Sequence, residues 1–388
     1  DPHTVQVQLE NPTPYIFNLL DSPFAAPVHR ATIEAHGKAT DRYTRWTRPQ
    51  NIVNNGPFNL AQWKMYRYLR VERSDTYWDA ANVGLNSIMF KPIDSDTVEE
   101  RMFRAGQLHV TYRMPVNKIA GYNALADSPY VQAPLLGSYY YLFNIDQPLV
   151  DDVRIRKALT MAIDRDQIVG KVLAGTERTS ASIVPIGIPG YTAQQHATFD
   201  PEQARELLAA AGYPDGAGWP GLELIYNTSE NHRRVAVAVQ QMWKEHLNIE
   251  VELTNQEWKV YLDTVDNKQF RLARMGWIGS YLDPGTYLNR FTTQGTTNRT
   301  GYSDARYDVI IERLAPAAKT RAQRFELMAE AENLFMQQYA IIPIYSYNGK
   351  HLVQPSVQGY HPNIIEYRNF KQVSLNPSAG VWQWPSEG

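Results

Sequence analysis

Alternation of apolar and polar residues dominates the first part of the chain. Residues Thr4–Leu9 read TVQVQL, a period of two that predicts a half-buried strand. Ile52–Val71 carries short aromatic runs after the Gly56-Pro57 pair, which predicts two strands around a turn. Further strands are predicted at Ser87–Pro92 and Leu108–Thr111, with a helix at Glu99–Ala105 between them.

Helical spacing takes over from residue 151. Asp151 and Asp152 can cap a helix with one apolar face, formed by Ile155, Leu159, Ala162 and Ile163. A second helix has an N-cap at Asp200, a proline at its first position and a closing glycine at Gly212.

A strand, a long helix and a strand follow each other over Leu222–Tyr226, Glu230–Leu247 and Ile249–Leu253. The helix directs Val235, Val239, Met242 and Trp243 inward. This order is a βαβ unit, which predicts a parallel pairing of its two strands. Beyond it the pattern predicts helices at Asp304–Leu314 and Arg321–Tyr339 and a strand at Ile341–Tyr347.

Composition limits the classes of protein. The chain has 388 residues, which favours two or more domains, and its 43% apolar and 20% charged residues are typical of a globular protein. A net charge of −2 without a basic block argues against a nucleic acid partner. No cysteine is present, which excludes disulfides and thiolate metal sites.

Motifs for catalysis or cofactor binding are lacking. The glycines Gly216, Gly218 and Gly221 form a GxGxxG pattern, but it follows a predicted helix and contains Pro220, so it predicts a loop and no dinucleotide site. His29 and His36 are seven residues apart, too far to share a metal even on one helix. We therefore expect no catalytic residue, no cofactor and no metal.

Several segments resemble the periplasmic oligopeptide-binding proteins of ABC importers, the family 5 extracellular solute-binding proteins. The most specific is VDDVRIRKALTMAIDRDQIV at Val150–Val169. The others, in chain order, are NGPFNLAQWKMYRYLRVERSDTYWD, FRAGQLHV, YNTSENHRRVAVAVQQMWKEHLNIEVELTNQEWKVYLDT, RMGWIGSYLDPGTYLN and IIPIYSY. Six segments in the family's order cover nearly the whole chain.

The resemblance implies an α/β, two-lobed periplasmic-binding-protein-like fold of the type II, large peptide-binding class, each lobe a mixed sheet flanked by helices. Residues 1–136 and 340–388 are expected in lobe one and 137–339 in lobe two. The match begins inside the family's sequence, so we expect the usual N-terminal part to be absent or on a separate chain. The implied location is the periplasm, after removal of a leader.

The resemblance also implies a ligand site centred on one strand. Arg274, Gly276, Trp277 and Ile278 match the strand that pairs with a peptide backbone, and glycine there lets another backbone approach. Arg274 matches an arginine that pairs with acidic groups. The other residues matched to ligand contacts are Asn227, His232, Trp258, Ser280, Tyr140 and Tyr347.

Four positions depart from the family by losing a charge: Leu142, Leu173, Val265 and Ser280. Ser280 stands where relatives use an aspartate for the peptide ammonium. The losses predict a different or more apolar ligand. Asp283, three residues further on, is an alternative source of the missing charge.

The implied function is a solute-binding receptor that delivers a peptide or peptide-like ligand to an inner-membrane ABC permease. A murein peptide or an amphipathic non-peptide is the alternative ligand. From other classes, a peptide-acting enzyme would need a nucleophile with a base, or an open metal site, and a structural remnant would bind nothing.

Overall fold

The structure is a computed structural model, and it describes residues 1, 3–10, 12–22, 25–42, 44–193 and 196–384. The chain forms two compact units. Unit one comprises Asp1–Leu19 and Pro134–Asn348, and unit two comprises Leu20–Ala133 and Gly349–Gly388. The assignment of residues 1–136, 137–339 and 340–388 to two lobes stays a prediction.

The strands are β1 Phe58–Lys64, β2 Tyr68–Arg73, β3 Ser87–Phe90, β4 Tyr130–Phe143, β5 Arg178–Thr179, β6 Leu222–Asn227, β7 Val251–Gln256, β8 Leu272–Ile278, β9 Ile341–Leu352, β10 Val357–Gln358 and β11 Ser374–Leu375.

The α-helices are α1 Ile16–Leu20, α2 Arg30–Glu34, α3 Asp96–Arg104, α4 Val116–Asn123, α5 Val153–Met161, α6 Arg165–Gln167, α7 Pro201–Ala210, α8 Glu230–Leu247, α9 Trp258–Asp266, α10 Gly285–Leu288, α11 Ala305–Val309, α12 Ala315–Ala317 and α13 Arg321–Met336. Two π-helical turns occupy Ile168–Val172 and Ile310–Leu314. Short 3₁₀ helices occupy Arg45–Thr47, Ala80–Asn82, Pro214–Gly216, Asn289–Phe291, Phe370–Gln372 and Pro377–Ala379.

Unit one contains a mixed, six-stranded sheet with the order β5-β9-β4-β8-β6-β7. β6 runs parallel to β7 and to β8, whereas β4 is antiparallel to β8 and β5 to β9. The parallel β6-α8-β7 unit confirms the sequence prediction, and α8 has the predicted bounds. The sheet places β8 between β4 and β6, which determines the site described below.

The core of unit one lies where helices cover this sheet. The four α8 residues predicted to point inward are all buried: Val235, Val239, Met242 and Trp243. The indole Nε1–H of Trp243 donates to the carbonyl of Leu159, 2.8 Å away, so its polar atom is satisfied within the core. The predicted face of α5 is buried as well.

Helix starts follow the predicted capping chemistry. The carboxylate of Asp152 accepts from the N–H of Arg154 at 2.8 Å, and that of Asp200 accepts from the N–H of Gln203 at 2.9 Å. Pro201 occupies the first turn of α7, where its missing N–H costs no intrahelical bond. Both predicted caps are therefore confirmed.

The GxGxxG pattern is a loop between α7 and β6, as predicted. Gly216, Gly218 and Gly221 all have positive φ, at 73°, 74° and 86°. A Cβ on Gly216 would lie 2.3 Å from the carbonyl oxygen of Asn248 at the end of α8. The glycines therefore serve the turn and its packing, and no helix begins after them to receive a phosphate.

Unit two is built from smaller pieces. Its described strands form an antiparallel sheet β1-β2-β3 and an antiparallel pair β10-β11. The first two strands confirm the prediction for Ile52–Val71, and α3 confirms the helix predicted near residue 99. Its core cluster consists of Phe103, Met114, Ile119, Tyr122, Leu352 and Trp382.

Two predicted strands are wrong. Thr4–Leu9 has no strand partner, and Val5 and Val7 are 89% and 57% exposed. Alternation predicts a strand only where a sheet offers an edge, and none is offered here. Leu108–Thr111 forms a single antiparallel bridge, from Val110 to Val353, with backbone bonds from Thr111 to Leu352 and from Gln354 to His109, and the pairing is too short for a strand.

Trp243→Ala is expected to lower the free energy of unfolding by about 3–5 kcal/mol, because it leaves a cavity in a closed core. Val237→Ala on the same helix is the control, since Val237 is 46% exposed and should change stability by less than about 0.5 kcal/mol. Urea unfolding followed by circular dichroism compares them. Equal effects would contradict the packing of α8 described here.

Candidate ligand-binding site

The site is built on β8, a strand that is paired unequally along its two edges. Along one edge β4 pairs with the whole strand, from Leu272 opposite Phe143 to Ile278 opposite Gly137. Along the other edge β6 reaches only Leu272 and Ala273. Among the described strands, none pairs with β8 beyond Ala273 on that side.

Hydrogen-bond alternation shows which backbone groups face this free edge. The N–H of Asn144 donates to the carbonyl of Arg271, and the N–H of Gly279 donates to the carbonyl of Leu136. In an antiparallel ladder the bonded pairs alternate, so the odd-numbered residues of β8 bond to β4. The N–H and C=O groups of Gly276 and Ile278 therefore point away from β4, towards the edge without a strand.

Arg274 is a buried cation beside this edge. It is 8% exposed, and its Nη1 donates to the Oδ1 of Asn227 at 3.3 Å while its Nη2 donates to the hydroxyl of Tyr347. Its guanidinium carbon lies 4.5 Å from the ring centre of Tyr139, a cation–π contact. Its Nε is buried without a partner, and no described carboxylate forms an ion pair with it.

The surrounding tyrosines keep their protons. Burial opposes the charged form of Arg274, but the nearby oxygens of Tyr347 and Tyr139 outweigh it and raise the pKa of the guanidinium. Burial also raises the pKa of Tyr347 and of Tyr139, although the positive charge of Arg274 acts the other way. At neutral pH the group is thus one cation among neutral phenols.

Gly276 makes room for Tyr347. A Cβ at this position would lie 2.6 Å from the Tyr347 hydroxyl and 3.0 Å from the Nη2 of Arg274. We predicted that the missing side chain of Gly276 leaves space for a ligand backbone. The hydroxyl of Tyr347 occupies this space instead. The approach of Gly276 to a ligand backbone, along the edge of the strand, stays a prediction.

His232 joins this group through Tyr139. Its ring centre lies 5.6 Å from that of Tyr139, and it stands in the first turn of α8, directly after β6 and Asn227. The structure therefore gathers Arg274, Gly276, Tyr347, Asn227 and His232. Tyr139, which connects them, had not been predicted.

Tyr140 and Trp277 lie on the opposite face of the sheet from Arg274, because neighbouring residues of a strand alternate in direction. Tyr140 is 2% exposed. The ring of Trp277 packs under the guanidinium of Arg290, 3.7 Å from its centre. Burial lowers the pKa of Arg290.

Trp258 is the most exposed of the predicted aromatic residues. It is 50% exposed at the start of α9 and stacks on Tyr261, with ring centres 6.1 Å apart. The hydroxyl of Tyr261 donates to the carbonyl of Arg274. Tyr261 on α9 thus binds the backbone carbonyl of Arg274. The indole ring of Trp258, on the same helix, is half exposed.

Ser280 and Asp283 follow the end of β8. The N–H of Ser280 donates to the Oγ1 of Thr286 at 3.1 Å. Asp283 is 5% exposed, and its two oxygens accept from Nε and Nη2 of Arg324 at 3.1 and 2.8 Å. Asp283, the alternative source of charge, is thus already paired within the protein, and its role towards a ligand stays a prediction.

The other three positions that depart from the family are core positions. Leu142, Leu173 and Val265 are 2%, 1% and 0% exposed. The apolar side chains at these positions pack inside unit one. A charge at any of them would be buried, and their expected effect on the ligand stays a prediction.

Some classes of site are absent from the described part of the chain. No group of three His, Cys, Asp or Glu side chains is placed to hold a metal ion. No described helix combines the length and the apolar composition needed to cross a bilayer.

Two known proteins with similar sequences are named as periplasmic peptide-binding proteins. The chain is 35% identical to the periplasmic oligopeptide-binding protein OppA of Escherichia coli over 369 residues, covering 93% of this chain and 66% of that protein. It is 34% identical to the periplasmic murein peptide-binding protein MppA of Escherichia coli, covering 94% and 67%. The chain thus spans about two thirds of the length of these relatives.

Solved structures give the same fold. The murein tripeptide-binding protein MppA of Escherichia coli superposes with a TM-score of 0.87 at 33% identity, covering 97% of this chain and 73% of that one. Haemophilus influenzae OppA, in complex with the peptide RPPGFSPFR, superposes with a TM-score of 0.86 at 29% identity, covering 95% and 72%. The expected periplasmic-binding-protein-like α/β fold is confirmed.

A family model covers most of the chain. The model of the bacterial extracellular solute-binding proteins, family 5 Middle, matches residues 1–299. Both relatives named above are binding proteins by name. The chain belongs to the bacterial extracellular solute-binding proteins of family 5.

Proposed function

We propose that this protein binds a short extended peptide or peptide-like ligand along the free edge of β8, with a ligand carboxylate at Arg274. It would act in the periplasm as a non-catalytic receptor for an inner-membrane ABC permease. The observation that carries the proposal is that one edge of β8 has no described strand partner beyond Ala273, beside a buried cation without a partner carboxylate among the described residues. The expected absence of catalysis is part of the proposal.

Backbone pairing supports a peptide as ligand. The N–H and C=O groups of Gly276 and Ile278 face an edge without a strand, and an extended chain can satisfy them by β-augmentation. Such pairing uses groups that all peptides share, so it tolerates many sequences. Trp258, half exposed nearby on α9, can then contact ligand side chains.

The buried charge of Arg274 supports a carboxylate on the ligand. A buried guanidinium is favourable when its N–H groups are bonded and its charge is compensated. The described residues supply an amide oxygen, a hydroxyl and an aromatic face, but no carboxylate in an ion pair with Arg274. A ligand carboxylate would supply the missing charge through a charge-assisted bond.

The described residues of the site offer no free carboxylate for the charged amino terminus of a peptide. The resemblance implies an aspartate where this chain has Ser280, and Arg324 already pairs with Asp283. An ammonium at this position would lose its hydration without gaining an anion. A murein peptide is the second candidate, since MppA is among the similar proteins; an amphipathic non-peptide is the third, since a protein named as probably deoxycholate-binding is 31% identical.

The first test is direct binding. Titration of the full chain with tri- to hexaalanine should quench or shift the fluorescence of its nine Trp residues in a saturable way. Trp258 and Trp277 are the expected reporters. Absence of saturable binding across the whole series would refute the peptide ligand.

Arg274→Gln should weaken binding of tetraalanine by about ten- to a hundred-fold, because a charge-assisted bond contributes about 1.5–3 kcal/mol. The amide of tetraalanine should bind both proteins equally. Arg313→Gln, an exposed charge loss in the same unit, is the control and should change neither affinity. The role of Arg274 is refuted if the acid and the amide lose affinity together.

Ile278→Pro should weaken peptide binding by about two- to ten-fold, because it removes one N–H donor from the free edge. Folding should be largely kept, since proline is tolerated where the N–H faces away from the ladder. Trp277→Pro is the matched control and should destabilise the fold, because the N–H of Trp277 bonds to β4. Calorimetry and thermal unfolding of both variants decide, and unchanged affinity in Ile278→Pro would exclude pairing at this residue.

Ser280→Asp should create a preference for a free over an acetylated amino terminus of about 1.5–3 kcal/mol, which the wild type should lack. Ser280→Asn, similar in size and neutral, should behave like the wild type. Calorimetry with tetraalanine and its acetylated form measures the preference. A wild-type preference near a hundred-fold would show that another group supplies the charge.

A further inference from the structure

A cavity of about 340 Å³ lies in unit one, next to the segment that follows β8. This volume is at the lower end of the range of roughly 300–1,000 Å³ for small-molecule sites. Its wall is formed by Pro14, Tyr15, Asn18, Pro189, Leu282, Asp283, Ala318, Lys319, Thr320, Arg321 and Arg324.

Arg324 contributes a buried donor without an acceptor. The residue is 2% exposed, and its Nε and Nη2 are bonded to Asp283. Its Nη1 is buried and has no hydrogen-bond partner. Because an unpaired buried N–H of a cation is costly, a guanidinium on a cavity wall in this state points to an acceptor that comes from outside.

The charge of the wall is positive. Asp283, the one carboxylate among the described wall residues, pairs with Arg324, so the net positive charge comes from Lys319 and Arg321. Arg321 is held in place by a bond from its Nη2 to the carbonyl of Pro189, at 2.9 Å.

The first turn of α13 adds to this charge. The helix has 16 residues and begins at Arg321, and its N-cap Thr320 accepts from the N–H of Gln323 at 3.2 Å. The remaining N–H groups of the first turn have no acceptor within the helix, and the helix dipole favours an anion there. The helix start and the buried Arg324 therefore favour the same kind of ligand by separate means.

Tyr15 gives the cavity an aromatic wall residue, and Tyr281 holds its ring in place from outside the described lining. The rings of Tyr15 and Tyr281 stack at 4.6 Å with an angle of 7° between their planes, and the guanidinium carbon of Arg324 lies 5.1 Å from the ring centre of Tyr15. Tyr15 lines the cavity together with apolar residues, which are Pro14, Pro189, Leu282 and Ala318. This wall suits the body of a ligand that is flat or apolar.

We propose that this cavity is an anion subsite that binds a small carboxylate with an apolar body, its oxygens between Arg324, Lys319 and the first turn of α13. The subsite is defined by its own residues and does not depend on peptide binding along β8. It accepts either a free organic carboxylate or a carboxylate carried by a larger ligand, since both present the same group.

Calorimetry with three probes tests the chemistry. Benzoate carries both features, benzamide has the same shape without the charge, and inorganic phosphate has charge without the apolar body. Benzoate should bind saturably and at least about ten times more tightly than benzamide, since its bonds to cations are charge-assisted. Phosphate should bind more weakly than benzoate.

Variants locate the binding. The double variant Lys319→Gln and Arg321→Gln removes two exposed cations of the rim and should weaken benzoate about ten-fold or more. Arg205→Gln with Arg313→Gln, also exposed, is the matched control and should leave it unchanged. Asp283→Asn with Arg324→Gln removes the buried pair as a unit, so that no lone charge is left to disturb folding, and should abolish binding.

Several results would overturn the proposal. If benzamide bound as tightly as benzoate, the cations would not contribute to binding. If phosphate bound more tightly than benzoate, the apolar wall would not contribute. Loss of benzoate binding in Arg274→Gln, with normal binding in the rim variant, would place the anion at β8 instead. Absence of any saturable heat with benzoate would refute the subsite.

Discussion

The geometry of the candidate site depends on one buried cation that the protein compensates with dipoles and aromatic faces. Arg274 rests on Tyr139 and donates to Asn227 and Tyr347. The hydroxyl of Tyr347 can reach it only because residue 276 is glycine. Because that hydroxyl accepts from Arg274 and stays protonated, its own O–H is free to donate to a ligand.

The same cation accounts for the unequal pairing of β8. β6 continues to Asn227 and pairs with β7 as far as Gln256, but it pairs with β8 only to Ala273. At the point where the two strands part, the side chain of Asn227 turns to Arg274. Tyr261 takes the carbonyl of Arg274, so the open part of the edge begins at Gly276. The free edge of β8 thus starts next to Arg274 and the residues that bond to it, Asn227 and Tyr261.

Local chemistry allowed much of the fold to be predicted. The caps Asp152 and Asp200, the bounds of α8 and the parallel β6-α8-β7 unit all follow from residues close in sequence. Thr4–Leu9 was predicted wrongly, because a strand also needs a partner, and the pattern of one segment does not show whether a partner exists.

The site was predicted only in part, for a similar reason. Resemblance identified Arg274, Asn227 and Tyr347, which the structure brings together. Within the run Tyr139-Tyr140-Tyr141, however, the register of β4 against β8 decides which tyrosine faces Arg274, and register depends on the whole sheet. The pair of Asp283 and Arg324 is 41 residues apart in sequence and carries no local signal.

Charge along this part of unit one limits the ligand more than shape does. The open part of the edge, from Gly276 to Ile278, extends about 7 Å, at roughly 3.3 Å per residue, which suits an extended segment of about three residues. Arg274 at its start is positive and lacks an anion. After its end stands Ser280, which is neutral, and then Asp283, which Arg324 compensates. A ligand that is positive at one end and negative at the other finds an anchor for its negative end alone, so the physical basis for selecting a free peptide amine is missing from this edge. In the proposed binding mode, selection by this edge therefore rests on the carboxylate and on the extended backbone, and a free and a blocked amino end should bind alike.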